Sequence, residues 1–177
     1  VREAIADPSK HVFICTAPSV RAQIGECFGY EPGTDCEGKM VAALKKLGFD
    51  GMIYLQCGSS SPAMAEMGFD GCYAYNWGKA LGMQMNDKGV DMILGPSIDM
   101  CFDPLMYLMA ITDDPKLAAQ IYRQVVKGIQ EQGVCATAKH FPGLGTYFVN
   151  MHIGPGSNTL PFDEWMETYG YTYKETF

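Results

Sequence analysis

The chain has 177 residues, of which 47% are hydrophobic and 19% charged, and its formal net charge is −7. Such a composition is typical of a globular chain with one sizeable hydrophobic core. The acidic balance and the lack of any Lys/Arg cluster argue against nucleic acid or an anionic membrane as a partner.

Targeting and cysteine patterns favour a cytoplasmic protein. No apolar run reaches the length of about eighteen residues that a membrane span needs, and the first residues lack a signal-peptide pattern. The seven cysteines are scattered, without a C-x-x-C pair or zinc-type spacing, so we expect free thiols and neither metal nor cofactor. Cys15 and Cys135 lie in apolar runs and are expected to be small core residues.

The first third of the sequence has a β-α-β pattern. A short buried strand is predicted at Val12–Cys15, and a helix from about Val20 to Phe28. Apolar residues at helical spacing predict a second helix over Lys39–Leu47, which Gly48 would end. Met52–Leu55 is the next predicted strand.

Strands and helices continue to alternate in the remaining chain. The predicted elements are a helix over Tyr73–Asp87, a strand over Met92–Leu94, a helix that starts at Asp113-Asp114-Pro115 and runs to about Gln132, an apolar strand in Gly133–Gly143, and a last helix after Pro161. This order predicts an α/β fold of parallel β-α units, either a partial TIM-type (β/α) barrel or an open parallel sheet.

Polar side chains follow two successive predicted strands. Asp99 comes after one strand, and Lys139 and His140 come after the next. A carboxylate, an ammonium and an imidazole at the carboxyl ends of neighbouring parallel strands are suited to bind the hydroxyls of a sugar. Alternatively, Asp99 caps the following turn and pairs with Lys139, and the sequence leaves both interpretations open.

From about Met52 to Phe177 the chain resembles the barrel domain of family three glycoside hydrolases, of the β-glucosidase and β-N-acetylglucosaminidase type. The segments that carry the resemblance are Trp77–Gly82, Gly95–Asp99, Thr112–Ala118 and, most specifically, Ala138-Lys139-His140-Phe141-Pro142-Gly143. The resemblance implies that Asp99, Lys139 and His140 hold sugar hydroxyls next to the cleaved bond.

The same resemblance bears on catalysis. The family's β-N-acetylglucosaminidases carry an Asp-x-His acid/base dyad where this chain reads Asn150-Met151-His152, so His152 is an acid/base candidate without its carboxylate. Its alternative is a surface-loop histidine. The family's nucleophilic Asp lies on a later strand, beyond this sequence, and the family's Arg after the Asp99 motif is replaced by Cys101–Leu105. The resemblance therefore implies sugar binding, with hydrolysis dependent on a complementing chain or on the rest of a longer one.

The first fifty residues instead resemble the catalytic domain of iron-only hydrogenases, in Thr16–Arg21, Gly25–Gly29 and Gly38–Asp50. The cysteine motifs that bind that family's clusters are not present in this segment, so an iron–sulfur site is not expected. We expect a hydrogenase-like segment, residues 1–50, and a glycosidase-like segment, residues 51–177, packed as one unit.

Three functional hypotheses follow: a carbohydrate-binding glycosidase-type barrel fragment, a hydrogenase-derived redox component, and a non-catalytic α/β scaffold. About four strands form only half of an eight-stranded barrel, whose open edges need cover. We therefore expect a homo-oligomer or a complex with a complementing chain.

Overall fold

The computed structural model describes residues 1–55, 71–102, 106, 109–146 and 153–177. The described helices and strands are, in chain order, α1 (Arg2–Ile5), β1 (Phe13–Thr16), α2 (Pro18–Gln23), a 3₁₀ turn (Glu26–Phe28), α3 (Glu37–Lys46), β2 (Gly51–Leu55), α4 (Gly71–Asp87), β3 (Met92–Leu94), α5 (Pro115–Gln130), β4 (Cys135–Ala136), α6 (Phe162–Glu167) and α7 (Tyr169–Thr176).

The strands form one parallel sheet in the order β1-β2-β3-β4. Phe13 pairs with Gly51, and Met92 pairs with Ile53 on one side and with Cys135 on the other. At least one helix lies between each pair of successive strands, as parallel pairing requires. The predicted α/β fold of parallel β-α units is confirmed. Because all strands run the same way, their carboxyl ends lie along one edge of the sheet.

The strand before the Lys-His pair is much shorter than the apolar run that predicted it. Only Cys135 and Ala136 pair regularly with β3, and a single bridge joins Ser97 to Lys139 further along. The amide of Thr137 donates to the Ile93 carbonyl, as the ladder requires, and also to the Gly95 carbonyl, and the regular ladder ends there. The polar residues therefore follow an irregular connection rather than a long strand.

Local signals explain the helix limits. The Asp114 carboxylate accepts hydrogen bonds from the amides of Lys116 and Leu117, and Pro115 occupies the first turn, so α5 starts where the sequence predicted. After α3, Gly48 adopts a left-handed φ of 99°, which ends the helix. The predicted helix over 20–28 is instead the six-residue α2 followed by the 3₁₀ turn.

Helices α4 and α5 approach closely at two glycines. A Cβ atom on Gly128 would collide with the carbonyl oxygen of Tyr75, and one on Gly78 would collide with that of Val125. The buried face of α5 packs into the main core, which also contains Ile93 of β3 and Tyr169 of α7. A smaller core under α3 contains Met40, Val41, Met52 and Val90.

The prediction that Cys15 and Cys135 are core residues is wrong. Both side chains are exposed. Each lies on an outer strand of the described sheet, β1 or β4, where no further described strand packs beside it. Among the described residues, no helix combines the length and the apolar character needed to cross a membrane.

Candidate functional site

A buried carboxylate organises the carboxyl edge of the sheet. Asp99, which is 1% exposed, follows β3 and contacts the segment that follows β4. Its Oδ1 accepts the Leu144 amide at 2.7 Å, and its Oδ2 accepts the Ser97 hydroxyl at 2.7 Å. The His140 amide lies 3.2 and 3.3 Å from the two oxygens. Both oxygens of the buried charge are therefore hydrogen-bonded within the chain, as a buried ion requires.

The imidazole of His140 is fixed by the same carboxylate. Its Nδ1 lies 2.8 Å from Asp99 Oδ2, and the side chain is 33% exposed. A carboxylate only accepts hydrogen bonds, so Nδ1 carries the proton, and Nε2 is the nitrogen that remains for another group. A nitrogen so placed is suited to bind a hydroxyl group.

Lys139 is held by its backbone beside Ser97. Its amide donates to the Pro96 carbonyl at 3.1 Å, and its own carbonyl accepts the Ile98 amide at 2.7 Å. The side chain is partly buried. These contacts bring Asp99, Lys139 and His140, which the sequence singled out, to one edge of the sheet.

The loop after His140 is also held by hydrogen bonds from the C-terminal segment. Three consecutive carbonyls, those of Pro142, Gly143 and Leu144, accept hydrogen bonds from side chains of the C-terminal segment. The donors are Trp165 Nε1, Asn158 Nδ2 and Tyr169 Oη, in that order.

Tyr173 adds an unusual group near the carboxylate. Burial, and secondly the charge of Asp99, raise the pKa of the Tyr173 phenol above its ordinary value. The hydroxyl is buried and has no hydrogen-bond partner among the described residues. The ring packs edge-on against Phe141, with centroids 5.5 Å apart.

The sequence did not single out two residues of this site, Ser97 and Tyr173. It also indicated residues that the structure does not describe. Ser97 stands two residues before Asp99 in the same motif, a spacing that could have indicated it. Tyr173 carried no local signal, because only tertiary packing brings α7 to this edge. His152 and Asn150 lie outside the described residues. Within the described part of the chain, no group of three or more His, Cys, Asp or Glu side chains could hold a metal ion.

Comparison with curated proteins finds relatives of two kinds. The chain is 36% identical over 96 residues to a probable beta-glucosidase A of Aspergillus fumigatus, which covers 51% of this chain and 11% of the relative. It is 58% identical over 50 residues to the NADP-reducing hydrogenase subunit HndD of Solidesulfovibrio fructosivorans, which covers 28% of this chain and 8% of that protein. The hydrogenase-like matches lie at the N-terminal segment, as the sequence indicated.

Among solved structures, the fold is similar to NagZ from Neisseria gonorrhoeae in complex with N-trifluoroacetyl-D-glucosamine. The TM-score is 0.74 at 13% identity, over 98% of this chain and 55% of that one. This chain therefore spans about a tenth of the length of the two curated relatives and about half of the NagZ chain.

The family comparison covers most of the sequence. The model described as "Glycosyl hydrolase family 3 N terminal domain" matches residues 35–177. This match begins inside the segment, residues 1–50, that resembles hydrogenases, and it includes every residue of the Asp99–His140 site. The chain therefore belongs to the family of glycosyl hydrolase family 3 N-terminal domains.

Proposed function

We propose that this chain binds a monosaccharide or the terminal sugar of a β-glycoside at the carboxyl edge of its sheet. The observation that carries the proposal is the hydrogen-bonded pair of Asp99 and His140, with Lys139 adjacent in the same segment. In this proposal the Lys139 ammonium and His140 Nε2 contact sugar hydroxyls, while Asp99 accepts a hydrogen bond from His140 Nδ1 and so orients the imidazole.

Similarity supports the class of ligand. The matched family consists of glycosyl hydrolases, a curated relative is a probable beta-glucosidase, and the NagZ structure holds an N-acylated glucosamine. Glucose and N-acetylglucosamine are therefore the ligands to test first.

Hydrolysis is proposed to need a nucleophilic carboxylate from residues outside this sequence. A retaining glycosidase places its nucleophile about 5 Å from the acid/base group. His152 is retained as the acid/base candidate, and a complementing β/α half-barrel, on the same polypeptide or another, would supply the nucleophile. The expected partners are thus a carbohydrate and either a second copy or a complementing chain.

The test is a chemical-shift titration of the chain with glucose, N-acetylglucosamine and a glucose-shaped iminosugar. We expect saturable shifts at His140 and its neighbours, which Lys139→Ala abolishes. Lys46→Ala is the matched control, because Lys46 is an exposed lysine in the last turn of α3, at the opposite, amino-terminal edge of the sheet.

The design separates binding from folding. Lys139→Gln, which keeps most of the side-chain length, replaces Lys139→Ala if the latter does not give a folded spectrum. An unchanged wild-type spectrum with all three sugars would overturn the proposal, as would equal binding by wild type and a folded Lys139 variant.

The N-terminal segment raises a second function, that of a redox component. Its identity to the hydrogenase subunit favours this hypothesis, but no described group of side chains adds a cluster site. Anaerobic iron–sulfur reconstitution followed by visible absorption tests it directly, and we expect no cluster absorption.

A further inference from the structure

The loop at 140–144 is held by two separate sets of hydrogen bonds. In one set, the amides of His140 and Leu144 donate to the buried Asp99 carboxylate. In the other, Trp165 Nε1 donates to the Pro142 carbonyl at 2.6 Å, and the Tyr169 hydroxyl donates to the Leu144 carbonyl. Leu144 is thus held through both its amide and its carbonyl.

Side-chain packing reinforces the contacts that Trp165 and Tyr169 make with the loop. Tyr169 is 0% exposed, and its ring lies so close to Gly143 that a Cβ atom there would collide with it. Gly143 also adopts a φ of 116°, which favours glycine. The Phe141 ring packs edge-on against Trp165, with centroids 6.0 Å apart. The loop has little room to shift while these two aromatic side chains are in place.

The Asp99 carboxylate connects this loop to the imidazole of His140. The carboxylate group of Asp99 accepts hydrogen bonds from both the ring of His140 and the amide of Leu144. A displaced loop would lengthen both hydrogen bonds, and the imidazole would lose the acceptor that selects the Nδ1–H tautomer.

We propose that Trp165 and Tyr169 are positioning residues for His140. By holding the carbonyls of Pro142 and Leu144, they keep the loop seated on Asp99 and leave His140 Nε2 available to a ligand. This inference rests on the proposed sugar-binding function only for the identity of that ligand. Neither residue needs to touch the sugar.

The experiment uses Tyr169→Phe and Trp165→Phe, which remove one donor each and keep an aromatic ring. The measured quantities are the imidazole ¹⁵N shifts of His140, the exchange rate of the Leu144 amide, and sugar affinity. Tyr171→Phe is the matched control, since Tyr171 lies on α7, as Tyr169 does, and donates to none of the three carbonyls.

We expect each variant to accelerate exchange of the Leu144 amide and to weaken sugar binding by about tenfold, a factor in the range for one lost hydrogen bond. The ¹⁵N shifts should show an increased population of the Nε2–H tautomer of His140. Tyr171→Phe should match wild type in all three measurements. Trp165, which is partly exposed, carries the test alone if Tyr169→Phe does not fold.

The outcomes distinguish this inference from the proposed function. Unchanged ¹⁵N shifts and Leu144 exchange in the folded variants would overturn the positioning role, even if the wild type binds sugar. Changed shifts and exchange in a protein that binds none of the sugars would support the positioning role and contradict the sugar-binding proposal.

Discussion

Asp99 Oδ2 and His140 Nδ1 lie 2.8 Å apart, although the two residues are separated by 41 positions in the sequence. The contact joins the connections that follow β3 and β4, and it brings a buried charge to a partly exposed ring. This hydrogen bond links the core of the sheet to the imidazole that is proposed to bind ligand.

Replacement of Asp99 should destabilise the fold strongly. In Asp99→Ala, the amides of His140 and Leu144 lose their shared acceptor inside the protein, and we expect the free energy of unfolding to fall by about 3 kcal/mol. Urea denaturation measures this change. Ser97→Ala, which removes only one donor to the carboxylate, should lower it by about 1 kcal/mol. Equal losses in the two variants would contradict the central role of Asp99.

Tyr173 should make the fold sensitive to alkaline pH. Because burial and the Asp99 charge raise the pKa of its phenol, the folded state favours the protonated form. The unfolded chain releases this proton first as the pH passes about 10, so the free energy of unfolding should fall above that value. Below about pH 10 the phenol is protonated in both the folded and the unfolded state, so its titration does not change the free energy of unfolding there.

The Tyr173→Phe variant isolates that effect. It removes a buried hydroxyl that has no described partner, and we expect unchanged or slightly higher stability at neutral pH and a shallower alkaline decline. Tyr171→Phe should decline as wild type does. Burial also raises the pKa of Cys101, so the comparison between variants, rather than the wild-type curve, is the measurement that decides.

The contact between α4 and α5 should not tolerate a methyl group. Gly128→Ala places a Cβ atom against the Tyr75 carbonyl, and we expect a loss of about 2 kcal/mol in stability as the helices separate. Gly38→Ala in α3 is the control, because a Cβ atom there meets nothing within 4 Å. That change should be neutral or stabilising by up to about 1 kcal/mol. Thermal unfolding of both variants tests the close approach.

The outer strands should promote association. The described sheet ends at β1 and β4, and Phe13 on β1 is 51% exposed. Sedimentation at increasing concentration should therefore show species heavier than the 19.4 kDa chain. Phe13→Lys should weaken this association, whereas Met83→Lys, at a residue on α4 that is 49% exposed, should not. A monomer at every concentration would contradict the expected association through the open edges of the sheet.

Local sequence signals were sufficient for most of the elements. The strand over Met92–Leu94 was predicted at its observed bounds, and the start of α5 followed from Asp114 and Pro115. Such signals act within a few residues, through hydrogen-bonding periodicity and capping, and a linear sequence displays them directly. The family resemblance likewise rested on contiguous motifs.

Long-range pairing decided what the sequence left open. The apolar run before Lys139 predicted a long buried strand, but regular pairing with β3 ends after Cys135 and Ala136, where the Thr137 amide also donates to the Gly95 carbonyl. Exposure of Cys15 and Cys135 depended on which strands became the outer ones, and a hydrophobic pattern does not encode that order.

The sequence by itself determined the α/β class, the order of strands and helices, and the identity of Asp99, Lys139 and His140 as the residues of interest. Only the tertiary structure decided that Asp99 accepts from His140 and Leu144, and that Trp165 and Tyr169 donate to the same loop. The physical reason is that these hydrogen bonds join elements distant in sequence, whose approach is set by packing of the whole core rather than by local preference.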